Sequence, residues 1–324
     1  MTDIFVVTGG AGFIGSHVVE RLLADHRGAR VRIFDDFSSG SMANLPFAAG
    51  AGERLEIVRG DVRDLAAVER VVRGASVIFH QAAMRSVPRS VADPLGANDH
   101  NVNGTLHVLE AARRAHVRRV VYASSSSVYG ERLDLPKRET QVPAPISPYG
   151  VSKLAGEEYA AVWNRLYGVE TVGLRYFNVF GPRQDPASEY AAVIPKFVLA
   201  ALEGRPVEIH GDGAQSRDFT EVENVVEANV LAADADGAGG EVFNVGCGAR
   251  VSLLDIVGKL ELLVGRRIRR RFTESRAGDV RHSEADIDKA RRVLGYVPKV
   301  EFDEGLQRVV EYFQGRRPVG PCTS

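Results

Sequence analysis

Ile4-Phe5-Val6-Val7-Thr8-Gly9-Gly10-Ala11-Gly12-Phe13-Ile14-Gly15 decides the fold. Residues 4–8 form a short apolar run of strand character, and an amphipathic helical pattern follows from position 12 to about 25. Between them, glycines spaced G-x-x-G-x-x-G turn the chain. Gly9 permits the tight turn, Gly12 lets backbone approach a pyrophosphate, and Gly15 permits close helix packing. The helix N-terminus offers free N–H groups and a partial positive charge to an anion. Asp35 lies twenty residues past Gly15, at the end of a second strand over 31–35. A carboxylate there accepts from both ribose hydroxyls and repels a 2′-phosphate, so the pattern predicts NAD rather than NADP. The bland alternative is a glycine turn and an aspartate-capped loop. Strand, helix and acid together favour the dinucleotide.

Further strands at 55–59, 76–80, 119–123 and 171–176 alternate with helical patterns at 98–115 and 149–167. Such alternation implies right-handed crossovers and a parallel sheet covered on both faces. The fold class is therefore α/β: a Rossmann-type doubly wound parallel sheet with a smaller C-terminal substrate-binding α/β domain. The expected division is 1–176 for the dinucleotide domain and 177–324 for the second, with 223–246 returning to the first. The boundary follows from looser patterning and turn clusters such as G-P-R-Q-D-P and G-D-G-A-Q.

Composition narrows the function classes. The 324 residues carry 41 Lys and Arg against 42 Asp and Glu, which gives no argument for nucleic acid or membrane as partner. The basic run Arg266–Arg271 reads as a solvated face because Ile268 and Phe272 alternate with its charges. No apolar run reaches the ~20 residues of a bilayer span. The start of the chain carries no secretory pattern, and a cytoplasmic location is expected. Cys247 and Cys322 are too few for a disulfide framework or a cysteine zinc site, and no metal is expected.

Chemistry enters with Ser-Pro-Tyr149-Gly-Val-Ser-Lys153. A phenol is a weak base near neutral pH, with an ordinary pKa of about 10. A lysine one helical turn later shares its face, and its charge favours the phenolate. Proton removal from an alcohol during hydride transfer needs such a base. Alone, Y-x-x-x-K also recurs on surface helices; downstream of a dinucleotide turn it carries more weight.

T-G-G-A-G-F-I-G, D-D-F-S-S-G, G-D-V-R-D, H-Q-A-A, S-S-S-S-V-Y-G, Y-G-V-S-K, R-Y-F-N-V-F-G-P-R-Q-D-P and R-A-G-D-V-R-H-S follow in this order. Over nearly its whole length the chain resembles the nucleotide-sugar epimerases and dehydratases of the extended short-chain dehydrogenase/reductases. It looks most like the UDP-sugar 4-epimerases. The resemblance implies catalytic roles for Ser125, Tyr149 and Lys153. It implies NAD contacts at Gly9, Gly12, Phe13, Ile14, Gly15, Asp35, Asp36, Asp61, Val62, Gln81, Ala82, Ala83 and Asn101, with Tyr149 and Lys153 on the nicotinamide side. It implies UDP-sugar contacts at Ser125, Ser126, Asn178, Arg217, Arg276, Asp279 and Ser283. Arginines suit a diphosphate because a planar guanidinium donates two parallel bonds.

Within that family, dehydratases and decarboxylases carry an acid directly after the serine or one beyond. Ser126 and Ser127 stand there, which counts against both reactions. Ser283 is small where a bulky residue would exclude a 2-acetamido group, so UDP-GlcNAc/UDP-GalNAc interconversion is expected, with UDP-Glc/UDP-Gal also accepted. UDP-glucuronate epimerisation is the alternative; Asn178 and Asp185 weigh against it. A non-catalytic NAD-binding scaffold and a plain reductase are the other classes. Glu221 and Asn224 replace the family's usual aromatic and aspartate, and Met84-Arg85 its small residues. A homodimer is implied, through the helices at 98–115 and 149–167.

Overall fold

A computed structural model describes residues 3–186, 192–274 and 281–315. Six strands, β1 (Ile4–Thr8), β2 (Arg30–Asp35), β3 (Leu55–Arg59), β4 (Val77–His80), β5 (Arg119–Ser125) and β6 (Glu170–Tyr176), are joined by the strand Glu241–Val245 in one parallel sheet. Its order is β3-β2-β1-β4-β5-β6, with Glu241–Val245 outside β6. The order reverses between β1 and β4, where an open α/β sheet leaves a crevice at the carboxyl ends of its strands. β1 and β4 are almost wholly buried, as a strand covered on both faces must be.

Two apolar layers cover the sheet. One contains Val7, Val18, Leu22, Ile33, Phe79 and Leu174, with Val225 and Ala232 of the helix Val222–Asp234. The other contains Val6, Phe34, Ile78, Val108, Leu109 and Val120. A separate cluster builds the smaller lobe from the helices Val193–Glu203, Leu253–Val264 and Phe302–Gly315 around Phe197, Ile209, Ile256, Leu260 and Val309. The strand Arg270–Thr273 pairs in parallel with Val207–His210 on this lobe. Ile268 is buried there, whereas Phe272 is exposed; Arg266 donates to the carbonyls of Ala201 and Leu202, and Arg267 and Arg270 pair with Glu261.

The helical run expected over 98–115 differs in detail. It begins as Pro94–Asn98, widens into a π turn at Asp99–Asn103 and continues as Gly104–Arg114. Asn101 sits in that wide turn, where its side chain reaches sideways to the loop after β4. Asp93 caps the start through its carboxylate, which accepts from the Gly96 N–H at 2.9 Å. The helix Pro148–Tyr167 starts from Ser147, whose Oγ accepts from the Gly150 N–H at 3.1 Å, and ends at left-handed Gly168.

Candidate active site

The glycine turn explains its own composition. Gly9 has φ +67°, and a Cβ there would stand 2.7 Å from the Ala82 nitrogen. A Cβ on Gly15 would stand 2.1 Å from the Gly9 carbonyl oxygen. Helix and turn therefore meet at a distance only glycine allows. The following helix, Phe13–Asp25, has no side-chain cap and no acid in its first turn among the described residues. Its N–H groups are thus left for an anion, as a dinucleotide pyrophosphate requires.

Asp35 is pinned by that turn. One carboxylate oxygen accepts from the Ala11 N–H at 2.9 Å and the other from the Phe37 N–H at 2.8 Å. Burial raises its pKa, while the two backbone bonds pull the other way. Asp61, after β3, is held below the usual carboxylate range by its bond to Arg63. Gln81 donates to Asn229 at 3.0 Å and accepts from the Tyr176 hydroxyl at 3.1 Å. Gly9, Gly12, Phe13, Ile14, Gly15, Asp35, Asp36, Asp61, Val62, Gln81, Ala82, Ala83, Tyr149 and Lys153 all line one cleft of about 970 Å³, its open mouth included. The glycine cradle, the uncapped helix and the pinned acid fit NAD.

Asn101 departs from this pattern. It is 2% exposed, and its amide bonds the Met84 N–H and carbonyl at 2.8 and 3.1 Å and the Ser152 hydroxyl at 3.0 Å. The π turn aims it at the wall behind the cleft rather than into it.

Tyr149 and Lys153 sit where β5 ends. Lys153 Nζ donates to the Ala123 carbonyl at 2.9 Å, and the Ser125 hydroxyl, which accepts from the Ser127 N–H at 3.1 Å, acts on the Tyr149 phenol to favour its ionised form. Nζ lies 5.8 Å from the centre of the tyrosine ring. The expected charge effect is not what dominates here. Burial pushes the Tyr149 phenol above its ordinary value, opposed by the Ser125 hydroxyl and by the charge of Arg85. Burial also drives Lys153 down to about 8, with Glu157 opposing it. Both groups lose water, and the ammonium turns to a backbone carbonyl instead of the phenol.

Ser126, Asn178, Arg217 and Ser283 line a second cavity of about 780 Å³ together with Ser127 and Lys137. Asn178 has φ +34° and donates to the Asp218 carbonyl at 3.0 Å and to Ser283 Oγ at 3.2 Å. Ser125 links the two spaces along the chain: Ser124 borders the dinucleotide cleft and Ser126 the second cavity. Arg276 and Asp279 lie outside the described residues.

Several cleft residues lie in or beside the motifs quoted above but have no site role in the sequence reading. Arg85, Ser38, Ser39, Ser124 and Tyr176 border the dinucleotide space. Phe180, Ile194, Phe219 and Leu253 line an adjoining cavity of about 870 Å³ that also touches Asn178 and Arg217. They converge from separate segments, so the tertiary fold alone brings them together; D-D-F-S-S-G, S-S-S-S-V-Y-G and R-Y-F-N-V-F-G point to some of them. Asp36, Asp61 and His100 bring ligand atoms within 4.8 Å of one another at the rim of the first cleft, though Asp61 is already bonded to Arg63. The substituted Glu221 and Asn224 are buried away from the reacting side chains. Asn224 donates to the Val300 carbonyl at 2.8 Å and accepts from the Lys299 N–H at 2.7 Å.

A half-buried phenol and a buried ammonium in a dinucleotide cleft, with a second, polar cavity starting at the same chain segment, define a class: enzymes that use a nicotinamide dinucleotide on a ligand reaching in from the other side. The model of the NAD dependent epimerase/dehydratase family matches residues 5–246. UDP-glucose 4-epimerase of Mycolicibacterium smegmatis is 42% identical over 313 residues, 96% of this chain and 98% of its own. UDP-N-acetylglucosamine 4-epimerase from Methanobrevibacter ruminantium, solved with UDP-N-acetylmuramic acid, superposes with a TM-score of 0.91 at 39% identity, covering 98% of this chain and 100% of that one. UDP-glucose 4-epimerase from Thermus thermophilus, solved with NAD, gives 0.88 at 37%, covering 97% and 100%. The chain belongs to the NAD-dependent epimerase/dehydratase family, and NAD is its cofactor.

Proposed function

We propose that the protein is a UDP-sugar 4-epimerase acting on UDP-GlcNAc/UDP-GalNAc, with UDP-Glc/UDP-Gal also accepted. The observation that carries the reading is the place of Ser125. Its hydroxyl acts on the Tyr149 phenol to favour the phenolate, its chain neighbours Ser124 and Ser126 border the dinucleotide cleft and the polar cavity, and serines rather than a carboxylate stand at 126 and 127. NAD, when bound, supplies a hydride acceptor at carbon 4 and returns the hydride, so no net reductant is used.

The chain's own residues do the rest. Gly9, Gly12, Gly15 and the first turn of the helix Phe13–Asp25 hold the pyrophosphate, and Asp35 accepts from the ribose. Tyr149, assisted by Ser125, takes the proton from the sugar's 4-hydroxyl and later gives it back. Lys153 holds the nicotinamide-side ribose and adds positive charge near the phenol. Arg217, with Arg276 and Asp279, anchors the nucleotide diphosphate while the 4-keto sugar turns over. Ser283, buried against Asn178, leaves room for a 2-acetamido group.

In this reading residues 177–324 form the UDP-sugar lobe, with 223–246 returning to the dinucleotide domain. A homodimer through the helices Gly104–Arg114 and Pro148–Tyr167 belongs to it as well. Val91, Leu95, Val151, Leu166 and Tyr167 lie exposed on or beside that face. Among the described residues, no helix is long and apolar enough to cross a membrane.

The test is to incubate purified protein separately with UDP-GlcNAc, UDP-Glc and UDP-GlcA, without added reductant. Proton NMR of the anomeric region reports which sugar equilibrates with its C4 epimer. Conversion of UDP-GlcA alone overturns the substrate assignment, and no conversion of any overturns the activity.

A further inference from the structure

We propose that Glu157, clamped by Arg175, is a positioning residue for this reaction: it locks the end of β5 and the helix bearing Tyr149 and Lys153 into one frame. The inference rests on the epimerase reading above.

Glu157 lies four residues past Lys153 and eight past Tyr149, on the same helix face. It is 5% exposed. Arg175 of β6, 3% exposed, grips both its oxygens, through Nε at 2.9 Å and Nη2 at 2.7 Å. The remaining donor is the Ser124 hydroxyl. Ser124 and Arg175 are register partners on β5 and β6, so Glu157 ties the helix to both strands at one level.

That level carries the chemistry. Ala123, just before Ser124, accepts from Lys153 Nζ, and Ser125, just after it, carries the hydroxyl that favours the Tyr149 phenolate. Three consecutive residues therefore aim the two reactive side chains, and the middle one is fixed by Glu157. The network continues to the other cavity. Arg175 donates to the Tyr129 hydroxyl at 2.9 Å, and Tyr129 donates to Asn244 at 2.7 Å. The Asn244 amide donates to the carbonyls of Lys137 and Asp286, at 2.8 and 3.1 Å. Lys137 bridges Ala285, two residues beyond Ser283.

A buried ion pair is a poor device for stability alone, because an apolar pair of equal volume serves as well or better. Here the carboxylate has a second task. It offsets the Arg175 charge and is the negative group acting on Lys153. The titratable and charged groups around the pair are His80 on β4, Tyr122 on β5, Tyr176 on β6, Tyr129, Glu139, Arg85, and Tyr149 and Glu158 on the helix itself.

The experiment compares the NAD-loaded wild type with Glu157→Gln on whichever UDP-sugar the wild type epimerises. Thermal unfolding is measured alongside KM and the pH profile of kcat. A folded Glu157→Gln is expected to keep KM within about threefold and to lose about 10- to 100-fold in kcat, the size of effect a misplacement of ~1 Å produces. Its alkaline limb is expected to move to lower pH, because Lys153 then faces Arg175 uncompensated. Should this variant fail to fold, Glu157→Asp keeps the charge and shortens the reach; a fall in kcat with an unmoved alkaline limb is then expected. Wild-type kcat together with a wild-type pH profile in folded Glu157→Gln overturns the inference, as does wild-type kcat in Glu157→Asp. A wild type without turnover sinks the epimerase reading instead.

Discussion

At the scale of single residues, the site divides into what local spacing announces and what burial decides. Tyr149 and Lys153 are legible because four residues make a helical turn, and Gly9 and Gly15 because a backbone at φ +67° and a 2.1 Å approach leave no room for a Cβ. Their electrostatics were not legible: the sequence suggests a lysine-lowered phenol, whereas loss of water raises the phenol and lowers the lysine. Under the proposed mechanism, Tyr149→Phe removes the base. Epimerisation should fall by about 10²- to 10⁴-fold while UDP-sugar affinity, measured by calorimetry, stays near wild type. Retained turnover would exclude Tyr149 as the proton acceptor. Ser283→Tyr fills the space beside Asn178, so kcat/KM for UDP-GlcNAc should drop far more than that for UDP-Glc. Equal losses on both sugars would remove Ser283 as the determinant of size.

At the scale of elements, the returning helix Val222–Asp234 begins at a residue with an unusual burden. Glu221 accepts from the Glu223 N–H at the start of the helix, yet it is 2% exposed, and burial pushes its carboxyl up to about 7. A carboxyl whose folded pKa lies above its ordinary 4.5 contributes fully below about 4.5, and that contribution is lost as pH rises through about 7. Glu221→Gln keeps an acceptor oxygen and cannot ionise. Its stability relative to wild type should therefore climb between pH 4.5 and 7, by about 1–3 kcal/mol, then level off. Denaturant titrations at about pH 5 and about pH 8 check this; an equal difference at both values refutes it. The π turn at Asp99–Asn103 shows the opposite limit of sequence reading. Its apolar periodicity looks continuous, and only the fold reveals that one wide turn redirects Asn101 to Met84.

At the scale of the whole molecule, the parallel sheet and its crevice follow from strand–helix alternation, whereas the cavity that Phe180, Ile194, Phe219 and Leu253 help to line does not. Those four come from separate segments with no shared spacing, so their convergence is a property of the finished fold. The assembly proposed through Pro148–Tyr167 predicts a sedimentation coefficient of a dimer at micromolar protein; Val151→Glu with Leu166→Glu should shift the population towards monomer. A wild type that sediments only as monomer would refute it. The strand Glu241–Val245 lies beside β6 after the chain has already visited the smaller lobe, and the chain then leaves the sheet again for the helix Leu253–Val264. Several separate backbone passages therefore join the two lobes, and a joint stitched that many times resists swinging apart. Under the proposed function, nucleotide sugars would enter and leave by local rearrangement of surface segments rather than by a swing of one lobe against the other.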